Sequence, residues 1–153
     1  MAAPTAARAA EPKPSGAIIL RLDDIHGLWG GHAVALDADG NVFVRKVRRP
    51  DEQRFHLKLP ADELREFLAF IASSGIRDYR EHARPGVPDE ARPHITLTLA
   101  GQEKVTAAKW SNDKVPEFDK LYARLLQLAE RATKTPAYLK QPFDSSAKFP
   151  AGD

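Results

Sequence analysis

Two stretches of the chain carry the same pattern of apolar and polar positions. In each, residues alternate in polarity through a tight turn, and a segment follows in which apolar residues recur three and four apart. The turns fall at Asp37-Ala38-Asp39-Gly40 and Ala100-Gly101-Gln102-Glu103. The helical spacing is carried by Leu64, Phe67, Leu68 and Ile71, and then by Phe118, Leu121, Tyr122 and Leu125. Period two marks a strand with one buried face, and period 3.6 marks an amphipathic helix. The pattern therefore predicts two hairpin-helix units.

The strands of the first unit run over His32–Leu36 and Asn41–Val47, joined by Asp39-Gly40, a strong short-range hairpin signal. Ile18–Leu22 forms a leading strand that stops at Asp23-Asp24, and a glycine-rich loop, residues 26–31, connects it to the hairpin. After a charged loop, Arg48 to Arg54, the alternating Phe55–Leu59 supplies a further strand. Helix one starts near Pro60 or Ala61, where a first-turn proline costs no hydrogen bond and Asp62 and Glu63 suit the positive helix end. Gly75 ends it.

Arg77 to Pro93 has charges and prolines but no period, and reads as a surface crossing whose mixed charge serves solubility. His94–Leu99 and Lys104–Trp110 make the second hairpin. Capping candidates Ser111, Asn112 and Asp113 precede helix two, which begins near Pro116, carries its stripe through Leu128 and Ala132, and stops at Thr135-Pro136.

The fold class is thus α+β: an antiparallel sheet of about five or six strands with two helices packed on one face. Alternation such as Ile95, Leu97 and Leu99 against Thr96 and Thr98 predicts that the other face is wet. Residues 1–16 form a flexible Ala/Pro-rich leader, 17–134 a single domain, and 135–153 a C-terminal extension that Tyr138, Leu139, Phe143 and Phe149 can pin to the body.

Composition narrows the chemistry. With 23 basic and 21 acidic residues the formal net charge is only +2, so no global field favours nucleic acid. The absence of cysteine removes disulfides, thiolate nucleophiles and zinc-ribbon sites. No apolar run approaches the roughly 18 residues of a membrane span. Ala7-Arg8-Ala9-Ala10-Glu11 resembles a signal-peptide cleavage region without its apolar stretch. A periplasmic or secreted location follows if Met1 to Ala10 is the remnant of such a peptide; otherwise the expectation is cytoplasmic.

Two clusters are candidate sites. Asp23, Asp24, His26 and His32 combine two carboxylates with two imidazoles, a donor set that suits a divalent metal such as zinc, nickel, copper or iron. Around them Gly27, Gly30 and Gly31 would let the backbone wrap an ion, although no fixed ligand signature is present. Trp29, His32, His94 and Trp110 fall near corresponding ends of the two units and form a candidate ligand-binding patch, because tryptophan joins large contact area to a polar handle. Asp37, Asp39 and Asn41 fall at the first, third and fifth positions of a calcium loop, but Val42 and Arg48 stand where it needs glycine and glutamate. The run Arg45, Lys46, Arg48, Arg49, with Arg54 and Lys58, reads as a solvated edge.

No nucleophile elbow, Walker loop or dinucleotide fingerprint occurs, so an enzyme is disfavoured. The leading expectation is a non-catalytic domain that binds a protein, peptide or small ligand through the glycine-rich loop and neighbouring strand ends. Its rivals are a metal-binding site in the 23–32 loop, either structural or hydrolytic, and a module that self-associates into a homo-oligomer through a sheet edge.

Overall fold

In a computed structural model, residues 11–152 are described. Met1 to Ala10, the core of the signal-remnant reading, lie outside the described residues. The elements are β1 (Ile18–His26), β2 (Gly30–Asp37), β3 (Asn41–Arg48), β4 (Asp51–Lys58), α1 (Ala61–Ser73), β5 (His94–Leu97), β6 (Val105–Ala108), α2 (Pro116–Thr133) and β7 (Leu139–Pro142). A short 3-10 turn, Ile76–Asp78, follows α1. All strands join one antiparallel sheet in the order β6-β5-β1-β2-β3-β4-β7. The class is α+β as expected, with 7 strands among the described residues. The seventh comes from the C-terminal extension, whose Leu139-Lys140-Gln141-Pro142 pairs with the start of β4.

The β2–β3 turn is built by Asp37. Its carboxylate accepts the Asp39 and Asn41 backbone N–H groups, both at 2.9 Å, and the Asn41 side-chain amide at 2.8 Å. Gly40 takes φ +92°, a left-handed conformation that glycine adopts without steric cost. Burial pushes the Asp37 carboxyl up, but hydrogen bonds from Asn41, Ser15 and Asp39 more than offset this and hold it below the usual carboxylate range.

Both helices cover one face. Val34, Leu36, Val42, Val44, Leu20, Leu22, Ile95 and Leu97 from the sheet pack with Phe67 and Ile71 of α1 and with Phe118, Leu121, Leu125, Ala129 and Ala132 of α2 in a single core. The α2 spacing of three and four residues aligns this stripe along one side of the helix. Its first turn is capped from within: the Asp119 carboxylate accepts the Val115 N–H at 3.0 Å. Of the expected capping residues, Asp113 instead pairs with Arg84.

The opposite face stays wet at its β5–β6 end, where Thr98 and Thr106 are exposed, but is covered over β2, β3 and β4. Ala33, Ala35, Phe43 and Val47 are buried there together with Arg45, Glu52 and Arg54. The C-terminal extension crosses this face: Arg45 Nη2 donates to the Asp144 carbonyl at 2.6 Å, and Arg21 Nη1 to the Phe149 carbonyl at 2.9 Å. The rings of Phe143 and Phe149 lie 4.8 Å from the Arg45 guanidinium and 5.4 Å from that of Arg54. Residues 11–16, assigned by sequence to the leader, reach the sheet as well, with Glu11 paired to Arg54 and Ser15 to Asp37. Arg45 and Arg54 are therefore buried partners of Glu52, not members of a solvated edge.

Candidate functional site

The glycine-rich segment is a strand end. β1 continues through Asp23 and Asp24 to His26, and Gly30 and Gly31 already belong to β2, paired with His26 and Ile25. Their lack of a side chain serves close backbone approach. A Cβ on Gly31 would meet the Asp24 carbonyl oxygen at 2.0 Å, and one on Gly30 would meet that of Val47 at 2.2 Å. Both also take positive φ, at 107° and 143° for Gly30 and Gly31. They let β1, β2 and β3 close up.

Strand alternation then divides the proposed metal quartet. Consecutive residues of a strand point to opposite faces, so Asp23 and Asp24 part company. Asp24 faces α2, where it accepts a hydrogen bond from the Tyr122 hydroxyl, and it lies across from His32. Asp23 lies across from His94 on the other face. His26 turns its Nδ1 to the Leu28 N–H at 3.1 Å. Among the described residues, no three of His, Asp and Glu come together in a group that could hold a metal ion.

The Asp24–His32 rung is a polar lining at the rim of the core. Burial lowers the affinity of His32 for a proton, and neighbouring Lys46 lowers it further, while Asp24 acts in the opposite sense; the net shift is down. Tyr122 is held in its neutral form by burial and by Asp24.

The expected aromatic patch divides: His32 lies on the helix side, His94 and Trp110 share Arg92 as a neighbour, and Trp29 stands at the hairpin tip. Trp29, at the tip of the β1–β2 hairpin, is 54 % exposed and stacks flat on His26, with ring centroids 3.8 Å apart and planes 4° from parallel. Trp110 is half-buried and committed to the protein's own structure. Its Nε1 donates to the Arg84 carbonyl at 3.1 Å, and Gly86 passes so close that a Cβ there would meet the indole at 2.4 Å. Arg84 and Arg92 each hold a guanidinium 5.7 Å from that ring. His32 belongs to the helix side, whereas the ring of His94 lies 3.2 Å from Arg92 Nη1.

The crossing from Arg77 to Pro93 is ordered by charge. Arg84 pairs with Glu90 at 2.7 Å and with Asp113 at 3.0 Å. Arg84 hydrogen bonding draws the Glu90 carboxyl down to about 2. Arg92 pairs with Glu81. Residues that sequence reads as solubilising charge thus clamp the segment onto itself and onto Asp113; ion pairs between irregular segments leave no periodic signal.

The hairpin tip and this clamped segment flank a cleft of about 300 Å³, lined by Asp23, His26 and Gly27 on one side and by Glu90, Ala91 and Arg92 on the other. Leu28 and Val87, 65 % and 53 % exposed, belong to the same two segments as the cleft walls. The cleft itself is lined mainly by polar and charged groups, among them Asp23, His26, Glu90 and Arg92, and Leu28, Trp29 and Val87 stand outside its lining. No protein-family model and no curated protein sequence matches this chain.

Proposed function

We propose that this protein is a non-catalytic binding domain that takes a protein or peptide partner at the β1–β2 hairpin tip and the cleft beside it. One observation carries the reading: the exposed large hydrophobics among the described residues, Leu28, Trp29 and Val87, all belong to the two segments that flank one cleft. Single exposed apolar side chains are common on protein surfaces, but three on the two segments beside one cleft support a surface that another molecule covers. Trp29 adds the quality of an anchor. Stacked on His26, its ring is held in place before binding, so little rotamer entropy remains to be lost.

Peptides selected from a random library against the full chain test this. Selected sequences should contain an apolar residue, and Trp29→Ala should weaken their binding at least about tenfold, the scale of a modest hot spot. Equal binding to wild type and Trp29→Ala would remove the reading.

A further inference from the structure

The outer edge of β6 lies in a groove whose walls are cationic. All four residues of the strand, Val105 to Ala108, line a groove of about 630 Å³, together with Arg77, Arg80 and Lys104. Among the described residues β6 pairs only with β5, in the register Ile95↔Ala107 and Leu97↔Val105. The Lys109 N–H bonds inward to the Pro93 carbonyl at 3.4 Å, and backbone direction alternates along a strand, so Thr106 and Ala108 present theirs outward. The Ala108 carbonyl accepts the Tyr79 hydroxyl at 2.8 Å. That leaves the Thr106 N–H and C=O and the Ala108 N–H facing the groove.

Charge selects what can lie there. None of Arg77, Arg80 and Lys104 is ion-paired among the described residues, whereas Arg45, Arg54, Arg84, Arg92, Lys109 and Arg131 all are. Arg77 Nη2 is buried without a hydrogen-bond partner, a costly state for a charged donor. Of the carboxylates lining the groove, Glu81 is occupied by Arg92, which leaves Glu103 against three cations.

We infer that β6 is a docking edge for an extended acidic segment of a partner protein, which adds to the sheet as an eighth strand. Main-chain bonds to Thr106 and Ala108 supply the register. Carboxylates two residues apart along the segment share one face and reach Arg77 and Lys104. A second copy of the chain fits less well, because pairing two β6 edges about a twofold axis would oppose Arg77, Arg80 and Lys104 to themselves. Residues 1–10 carry one arginine and no acidic side chain, so they lack the complementary charge. This inference stands apart from the Trp29 reading and does not rest on it.

Fluorescence anisotropy of the full chain with a labelled hexapeptide of alternating glutamate and valine is the test. Binding should weaken as salt rises, and a lysine-valine peptide should fail to bind. Methylating the peptide amides that face β6, or introducing Thr106→Pro, which removes an outward N–H and no bond to β5, should each weaken binding at least about tenfold. Arg77→Gln should do the same, and it keeps the result decisive should Thr106→Pro fail to fold. Trp29→Ala should leave this binding unchanged. The inference is overturned by no binding of the glutamate peptide, by binding indifferent to amide methylation, by loss of binding in Trp29→Ala, or by a homodimer that Arg77→Gln strengthens.

Discussion

Glu52 sits diagonally across the β3–β4 ladder from Arg45, and Arg45 Nε donates to its carboxylate with the two side chains 0 % and 7 % exposed. Arg54 approaches the same carboxylate at 3.4 Å and Gln141 of β7 donates to it at 2.8 Å, so one buried acid ties the sheet to the C-terminal extension. Removing it would leave two buried guanidinium groups facing a neutral partner. Glu52→Gln should destabilise the protein by about 3 kcal/mol, the scale for breaking one side of a buried pair. Urea unfolding measures it, and a loss below about 1 kcal/mol would show that water reaches this face.

Acid should act through the same group. Burial pushes the Glu52 carboxyl up, but Arg45 and Gln141 hydrogen bonds and the Arg45 and Arg54 charges outweigh it and hold the folded value low. A depressed carboxyl contributes stability that is present above its unfolded pKa, near the ordinary 4.5, and is lost as pH falls through the folded value. Asp37, depressed by its turn hydrogen bonds, acts with the same sign. The melting temperature should fall between about pH 5 and pH 3, and Glu52→Gln should shrink that fall.

Histidine titration should add a second slope at higher pH. His32 and His56 are both lowered from 6.5, chiefly by burial. For each, the unfolded chain takes up a proton before the folded one does, so stability declines as pH drops through the range near 6.5. Proton NMR should find both histidines titrating below that value in the native protein. A native titration of His32 at or above 6.5 would contradict the packing of the Asp24–His32 rung.

Glycine substitutions separate the two readings of the 26–31 segment. Gly31→Ala would drive a methyl group into the Asp24 backbone and should cost more than about 2 kcal/mol. Gly27→Ala, with nothing within 4 Å of its Cβ, should stay within about 0.5 kcal/mol of wild type by thermal unfolding. Similar effects at both positions would show that the strands do not close up as described.

The two tryptophans should behave as opposites. Trp110→Ala removes the ring against Gly86 and between Arg84 and Arg92, and should cost about 3 kcal/mol. Trp29→Ala, at an exposed hairpin tip, should cost less than about 1 kcal/mol. Acrylamide should quench Trp29 in the folded protein and spare Trp110, which single-tryptophan variants would resolve.

The sequence by itself determined the elements and their class. Asp39-Gly40 specifies a turn, the alternation around it specifies paired strands, and the stripes ending at Ile71 and Ala132 specify helices, because each depends only on residues a few positions apart. Where competing local signals met, the outcome passed to tertiary structure. Asp23 and Asp24 read as a strand stop, yet pairing with Ala33 and His32 carries β1 through them. Only the assembled fold decides that Asp23 and Asp24 face opposite sides, that Gly31 makes room for a neighbouring carbonyl, and that Trp29 is left outside while Trp110 is half-buried against Gly86. It likewise decides that Arg45 and Arg54 are buried, since their cover arrives from Asp144 and Phe149, roughly a hundred residues further along the chain. Periodicity reports which face of an element is apolar; it carries no information about which distant segment crosses the polar one.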